Sequence, residues 1–164
     1  MKDAVEFIEK MNFKLPPFVY WSSDEWMTKG HEYDEIRDNM LGWDITDFGS
    51  GDYSKIGLLM ITLRNGNFND KKYIKTYAEK LLIVKEKQIT PFHFHWSKME
   101  DIINRGGGNL IIQVYNSTED EEMDRESPVK IMSDGCEYDV AAGSLIKLMP
   151  GESISIQPRM YHKF

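Results

Sequence analysis

The chain has 164 residues, enough for one domain with a real core, and its 41 % apolar and 29 % charged residues are ordinary for a soluble globular protein. A formal charge of −7 excludes the basic face that phosphate binding needs, so no nucleic acid is expected as a partner. No apolar run reaches the length of a membrane span, Met1-Lys2-Asp3-Ala4 does not open a signal peptide, and Cys136 is alone, so the expected setting is cytoplasmic, with no membrane partner and no intrachain disulfide.

Residues 3 to 12 predict a short helix, because Ala4, Val5, Ile8 and Met11 follow helical spacing and Pro16-Pro17 forbids continuation. A second helix is expected from a cap at Ser23 or Asp24, stopping at Gly30. Residues 31 to 40 have no clear period and read as loop or a short helical turn. In Gly42 to Gly51, the alternation of Trp43, Ile45 and Asp47 with Asp44, Thr46 and Phe48 suggests a strand, turned by Gly49-Ser50-Gly51. Its acids and aromatics could line a polar pocket, but a surface hairpin is the plainer reading.

From Ile56 the pattern is β. Ile56 to Leu63 is an apolar strand ended by the turn signal Asn65-Gly66, and Lys71 to Lys80 is a basic connector. Further strands are expected at Leu81 to Val84, Phe92 to Trp96, Asn109 to Tyr115, Val129 to Met132, Cys136 to Val140, Ser144 to Leu148 and Ser153 to Ile156. The acidic stretch Thr118 to Glu122 reads as a solvated hairpin loop. Short strands with regular turns predict an all-β antiparallel sandwich or barrel. With no linker or repeat, residues 1 to 164 are expected to form a single domain with a helical and loop lead over 1 to 50. Exposed edge strands favour a homodimer.

His93 and His95 are two apart, so in an extended strand both imidazoles point the same way, and Glu100 follows closely. Two imidazoles and a carboxylate suit Mn, Fe, Ni or Zn. A lone histidine on a strand is more often a core or surface residue, but the pair with a following acid shifts that balance. His162, beyond the last expected strand, could be aimed at the same point by a returning strand.

These residues carry a resemblance. His93-Phe94-His95, then Glu100 and Gly107, resembles the first metal motif of the cupins. Gly151 followed by Gln157-Pro158-Arg159-Met160-Tyr161-His162 resembles the second. Gln157 and Arg159 stand where that second motif usually has Pro and Gly, and Lys87 stands where the first usually opens with Gly. More narrowly, Gly30 to Asn39, Gly42 to Gly51, Leu63 to Phe68 and Thr90 to Gly108 are similar to the D-lyxose isomerase family, over nearly the whole chain. The resemblance implies a cupin-type antiparallel β-barrel (jelly roll) using Mn²⁺, or another divalent metal such as Zn²⁺, Fe²⁺, Ni²⁺ or Co²⁺. It also implies interconversion of D-lyxose with D-xylulose and of D-mannose with D-fructose.

By that resemblance His93, His95, Glu100 and His162 are the metal ligands, and Lys80 and Lys98 lie around the sugar, Lys98 with a catalytic role beside developing oxyanion charge. Strand parity alone would turn Lys98 away from the histidines. Asp44, Asp47 and Glu79 are candidates for sugar hydroxyl contacts or a base, and Trp96, with Trp43, Phe48 and Phe92, could wall a sugar ring. Family members continue further and use a glutamate there for proton transfer. This chain stops at Phe164, so a shortened C-terminal end, or another carboxylate in that role, is expected. A sugar- or metal-binding cupin without turnover, and another metal-dependent cupin enzyme such as an Fe-dependent dioxygenase, are the competing readings.

Overall fold

A computed structural model describes residues 1–164. It divides into two compact units, Met1–Gln88 and Ile89–Phe164. Both are built around antiparallel β-sheet, and helices are few and short. No helix is long and apolar enough to cross a membrane.

The first unit opens with α1 (Lys2–Lys10), whose Ala4 and Ile8 are buried on one side as the spacing predicts. A 3₁₀ turn from Pro17 to Tyr20 follows, since proline suits the first position of a helical turn. Helix α2 (Ser23–Met27) is capped one residue earlier than expected. The Ser22 hydroxyl accepts from the Glu25 N–H while the Glu25 carboxylate accepts from the Ser22 N–H. Residues 34 to 38 form a third short helix, α3 (Asp34–Asp38).

Strands β1 (Gly42–Thr46), β2 (Leu58–Arg64) and β3 (Glu79–Ile83) form one antiparallel sheet in that order. Its apolar face is part of a core in which Ile61 and Leu63 join Ile8, Leu15 and Val19, with Trp43, Leu81 and Ile83 packed against them. The turn expected at Asn65-Gly66 is made slightly later, at Phe68-Asn69 and Lys71-Lys72. β2 pairs with β3 from Arg64 opposite Glu79, so a long irregular loop connects them. Gly66 has a different use there: a Cβ would run into the Lys75 carbonyl oxygen. Side chains tie this loop to α3, through Lys72 and Tyr73 to Asp38 and Lys75 to Glu35.

The second unit is a two-sheet, cupin-like sandwich. One sheet runs β4 (Glu100–Ile103), β10 (Ser153–Ile156), β7 (Val129–Ser133), β8 (Cys136–Val140). In the other, β5 (Leu110–Ser117) pairs with β11 (Tyr161–Lys163), β6 (Met123–Asp124) and β9 (Leu145–Leu148). The pairings give separate sheets and not the single closed ladder of a barrel. Alternation directs Ile112 and Val114, Val129 and Ile131, Ile146 and Leu148, and Ile154 and Ile156 into one core. Each such side chain contributes about 1.5–3 kcal/mol on burial. Three strands escaped the sequence pattern, β4, β6 and β11, all four residues or fewer. The expected strand at Phe92 to Trp96 reduces to a single bridge between His93 and His162, because the chain bends at Trp96 and Ser97 to return as β4.

Candidate metal centre

The centre forms where the segment before β4 meets β11. The His93 N–H donates to the His162 carbonyl at 3.1 Å, and the His162 N–H donates back to the His93 carbonyl at 2.9 Å. The pairing extends both ways, with the Thr90 N–H on the Phe164 carbonyl at 2.6 Å and the Arg159 N–H on the His95 carbonyl at 2.7 Å. On its other side β11 pairs with β5, and His162 lies opposite Val114. Both residues are fully buried, so His162 projects from the core face and Tyr161 and Lys163 from the other.

The three imidazoles converge. Ring centroids lie 4.2 Å apart for His93 and His162, 5.2 Å for His93 and His95, and 5.6 Å for His95 and His162. One nitrogen from each falls within 4.8 Å of the others. Two donors each about 2.0–2.2 Å from a shared ion lie at most about 4.4 Å apart, so small side-chain adjustments suffice. Glu100, first residue of β4, brings Oε2 to 3.2 Å from His95 Nε2 and 3.7 Å from His162 Nε2, while its other oxygen takes the Lys98 ammonium.

The tautomers are set by the backbone. His93 Nδ1 lies 3.0 Å from the Pro91 carbonyl, and His162 Nδ1 lies 3.0 Å from the Met160 carbonyl. A carbonyl can only accept, so Nδ1 carries the hydrogen and Nε2 keeps its lone pair when the ring is neutral. Metal-ligating histidines are held in this way. Nε2 of His95 and of His162 is buried and has no hydrogen-bond partner, the nearby Glu100 oxygen being outside hydrogen-bonding geometry. A buried polar atom left unmatched costs about 1–3 kcal/mol. Two such atoms aimed at one point, beside a carboxylate, fit a divalent cation.

Electrostatics support the same protonation states. Burial pushes the His162 imidazole down to about 4, and burial likewise lowers His95, with Glu100 opposing it. Burial alone would raise Glu100, but the Lys98 hydrogen bond and charge, helped by His95 and His162, hold it below the usual glutamate value. Near neutral pH the His95 and His162 rings are therefore neutral and the Glu100 carboxylate is ionised.

A profile of the D-lyxose isomerase family matches residues 1–164. The D-lyxose/D-mannose isomerase of Serratia proteamaculans is 44 % identical over 165 residues, spanning 100 % of this chain and 72 % of that protein. The D-lyxose/D-mannose isomerase of Escherichia coli O157:H7 is 43 % identical over 160 residues, 97 % of this chain and 70 % of that protein. The chain belongs to the D-lyxose isomerase family.

In this D-lyxose isomerase family member the other candidate residues fall in both units, Lys98, Trp96 and Phe92 in the second and Asp44, Asp47, Glu79, Lys80 and Trp43 in the first. Lys98 lies in the bend before β4, not on a strand, so parity does not turn it away, and its ammonium pairs with Glu100. Trp96 is 59 % exposed and packs edge-on against Phe94, which in turn packs edge-on against Tyr161, the residue on the opposite face of β11 from His162. Phe92 packs edge-on against Tyr115. In the first unit, Asp44 and Lys80 are both exposed and share one face of the β1–β2–β3 sheet, since Gly42, Thr62 and Lys80 are in register, as are Asp44, Met60 and Leu82. Asp47 is occupied by its own turn, accepting the Gly49 and Gly51 N–H groups at 2.9 and 3.0 Å. Glu79 pairs with Arg64, and the Trp43 indole N–H donates to the Val19 carbonyl at 2.9 Å. Sequence reasoning missed the two carbonyls that orient the histidines. The signal was there in the spacing, since Pro91 and Met160 each precede a histidine by two residues.

Proposed function

We propose that the chain is a metal-dependent aldose–ketose isomerase that interconverts D-lyxose with D-xylulose and D-mannose with D-fructose, with Mn²⁺ as its metal. The observation that carries this reading is the convergence of three imidazoles and a carboxylate around two buried, unpartnered Nε2 atoms. The substrate class follows from relatives named D-lyxose/D-mannose isomerase. His93, His95, His162 and Glu100 would hold the ion, and this mixed nitrogen and oxygen set also suits Zn²⁺, Fe²⁺, Ni²⁺ or Co²⁺. A bound divalent ion supplies Lewis acidity, which polarises the sugar carbonyl and acidifies the neighbouring C–H.

The protein's own groups do the rest. Burial keeps the His162 ring neutral down to about pH 4, so its donor atom is not lost to a proton under physiological conditions. Lys98, anchored on Glu100 and half exposed, is a fixed cation for the negative charge that develops on the sugar oxygen. In one direction a general base takes the hydrogen from C2 as a proton, giving an enediol, and its conjugate acid returns that proton at C1.

The test combines elemental mass spectrometry of the purified protein with an assay of D-lyxose conversion to D-xylulose, with Mn²⁺ and with EDTA. Mn²⁺-dependent conversion is the expected result. Metal bound at stoichiometry without conversion of either sugar would make the protein a binding module. No metal uptake after loading would sink the reading altogether.

A further inference from the structure

The residue before Met160 has an unusual backbone. Arg159 sits at φ +66°, in the left-handed region that disfavours side chains with a Cβ. It also stands where the resembled motif has glycine, the residue suited to that conformation. Such a conformation persists only where surrounding contacts hold it. Arg159 has three sets of them. Its backbone N–H donates to the His95 carbonyl at 2.7 Å. Its guanidinium lies 5.7 Å from the Trp96 ring and 6.0 Å from the Phe94 ring, within cation–π reach. Its Nη2 donates to the Thr118 carbonyl at 2.9 Å and approaches the Glu119 carbonyl at 3.5 Å. A neighbouring tie runs in parallel, from the Tyr161 hydroxyl to the Glu121 carbonyl at 2.6 Å.

We infer that Arg159 is a positioning residue for the metal centre, whose side chain fastens the His95-bearing bend to the acidic turn Thr118–Glu122. The inference rests on the metal-binding reading of the histidines. His93 is fixed by a two-way backbone pairing with His162, but His95 lies outside any strand and its carbonyl is held by Arg159. The guanidinium covers the aromatic residues on either side of His95 in the chain and joins them to carbonyls of the turn between β5 and β6. That link limits the bend's freedom on the side away from the imidazoles.

The test titrates Mn²⁺ into metal-free wild-type protein, Arg159→Gly and Tyr161→Phe, using calorimetry. Amide exchange of residues 94 to 97 and the urea midpoint of each metal-free protein are measured alongside. Arg159→Gly keeps the backbone donor and relieves the positive φ. It should bind Mn²⁺ about tenfold more weakly, the scale seen for outer-shell partners, with faster exchange at 94 to 97 and an unchanged or higher urea midpoint. A merely structural role would lower the midpoint together with the affinity. Tyr161→Phe removes only one tie and should lose affinity in the same direction to a smaller extent, which decides the matter if Arg159→Gly does not fold. Wild-type affinity and exchange in both variants would overturn the inference alone. A wild-type protein that binds no Mn²⁺ would remove the metal reading and the inference with it.

Discussion

Replacing His162 with leucine should leave the metal-free protein within about 2 kcal/mol of its original stability and abolish its response to Mn²⁺. The imidazole is fully buried, and its Nε2 has no partner. That unmatched atom costs about 1–3 kcal/mol, while the bond from Nδ1 to the Met160 carbonyl returns about 1 kcal/mol. Leucine has similar bulk and removes the unmatched atom, but it leaves the Met160 carbonyl without its donor, a loss of about 1–3 kcal/mol, so the net change in the metal-free protein lies within about 2 kcal/mol of zero. With Mn²⁺ at a hundred times its dissociation constant, the wild-type protein should gain about 2.7 kcal/mol, and the variant should lose most of that gain. Urea unfolding of EDTA-treated wild type and His162→Leu, each with and without Mn²⁺, reads both changes. A variant weakened by more than about 2 kcal/mol without metal, yet still stabilised by Mn²⁺, would refute the assignment of this ring as a ligand whose donor atom is a liability when empty.

Acid should weaken the metal-free protein before its carboxylates titrate. The His162 value falls from 6.5 in the unfolded chain to about 4 in the fold. Between those values the unfolded state binds the extra proton, so stability drops as pH falls through that window, by about 3 kcal/mol, and then levels for this group. Urea midpoints at pH 7 and pH 5 should show the drop, and His162→Leu should reduce it, with His95 keeping a contribution of the same sign. Lys98→Met removes the cation placed for the negative charge that develops on the sugar oxygen, so kcat for D-lyxose should fall by about a hundredfold. Equal turnover in that variant would strike Lys98 from the chemistry. Gly66→Ala should cost about 1–3 kcal/mol of unfolding free energy, because the Lys75 carbonyl oxygen occupies the space a Cβ needs.

The sequence made the β architecture and most of the second unit legible, because its strands alternate buried Ile, Val and Leu with polar residues under regular turns. It was silent on β4, β6 and β11, which are too short to show a period; β4 and β11 exist through long-range pairing with β10 and β5, and β6 through a local hairpin with the end of β5. His93, His95 and His162 could be nominated from type and spacing. Their convergence could not, since it depends on the register that sets His162 opposite Val114 on one side and His93 on the other. Strand parity turns Lys98 away from the histidines only in a straight strand, and the chain bends at Trp96 and Ser97. Asp47 and Trp43 looked like pocket residues because acids and aromatics cluster there. Local geometry uses them otherwise, one to close a turn and the other to satisfy a carbonyl.

The pairing of Thr90 with Phe164 joins positions 74 residues apart, and the histidine pair lies just inside it. An ion shared by His93 and His162 would therefore act as a reversible cross-link around almost the whole second unit. By loop-closure entropy, a covalent bridge of that span would restrict the unfolded chain by about 4 kcal/mol. A metal clasp has the same reach but opens with chelation or acid. Loss of the ion would then release more than a reaction centre. It would remove one restraint on the two ends of the unit and leave the backbone pairing of His93 with His162 and of Thr90 with Phe164 to hold them.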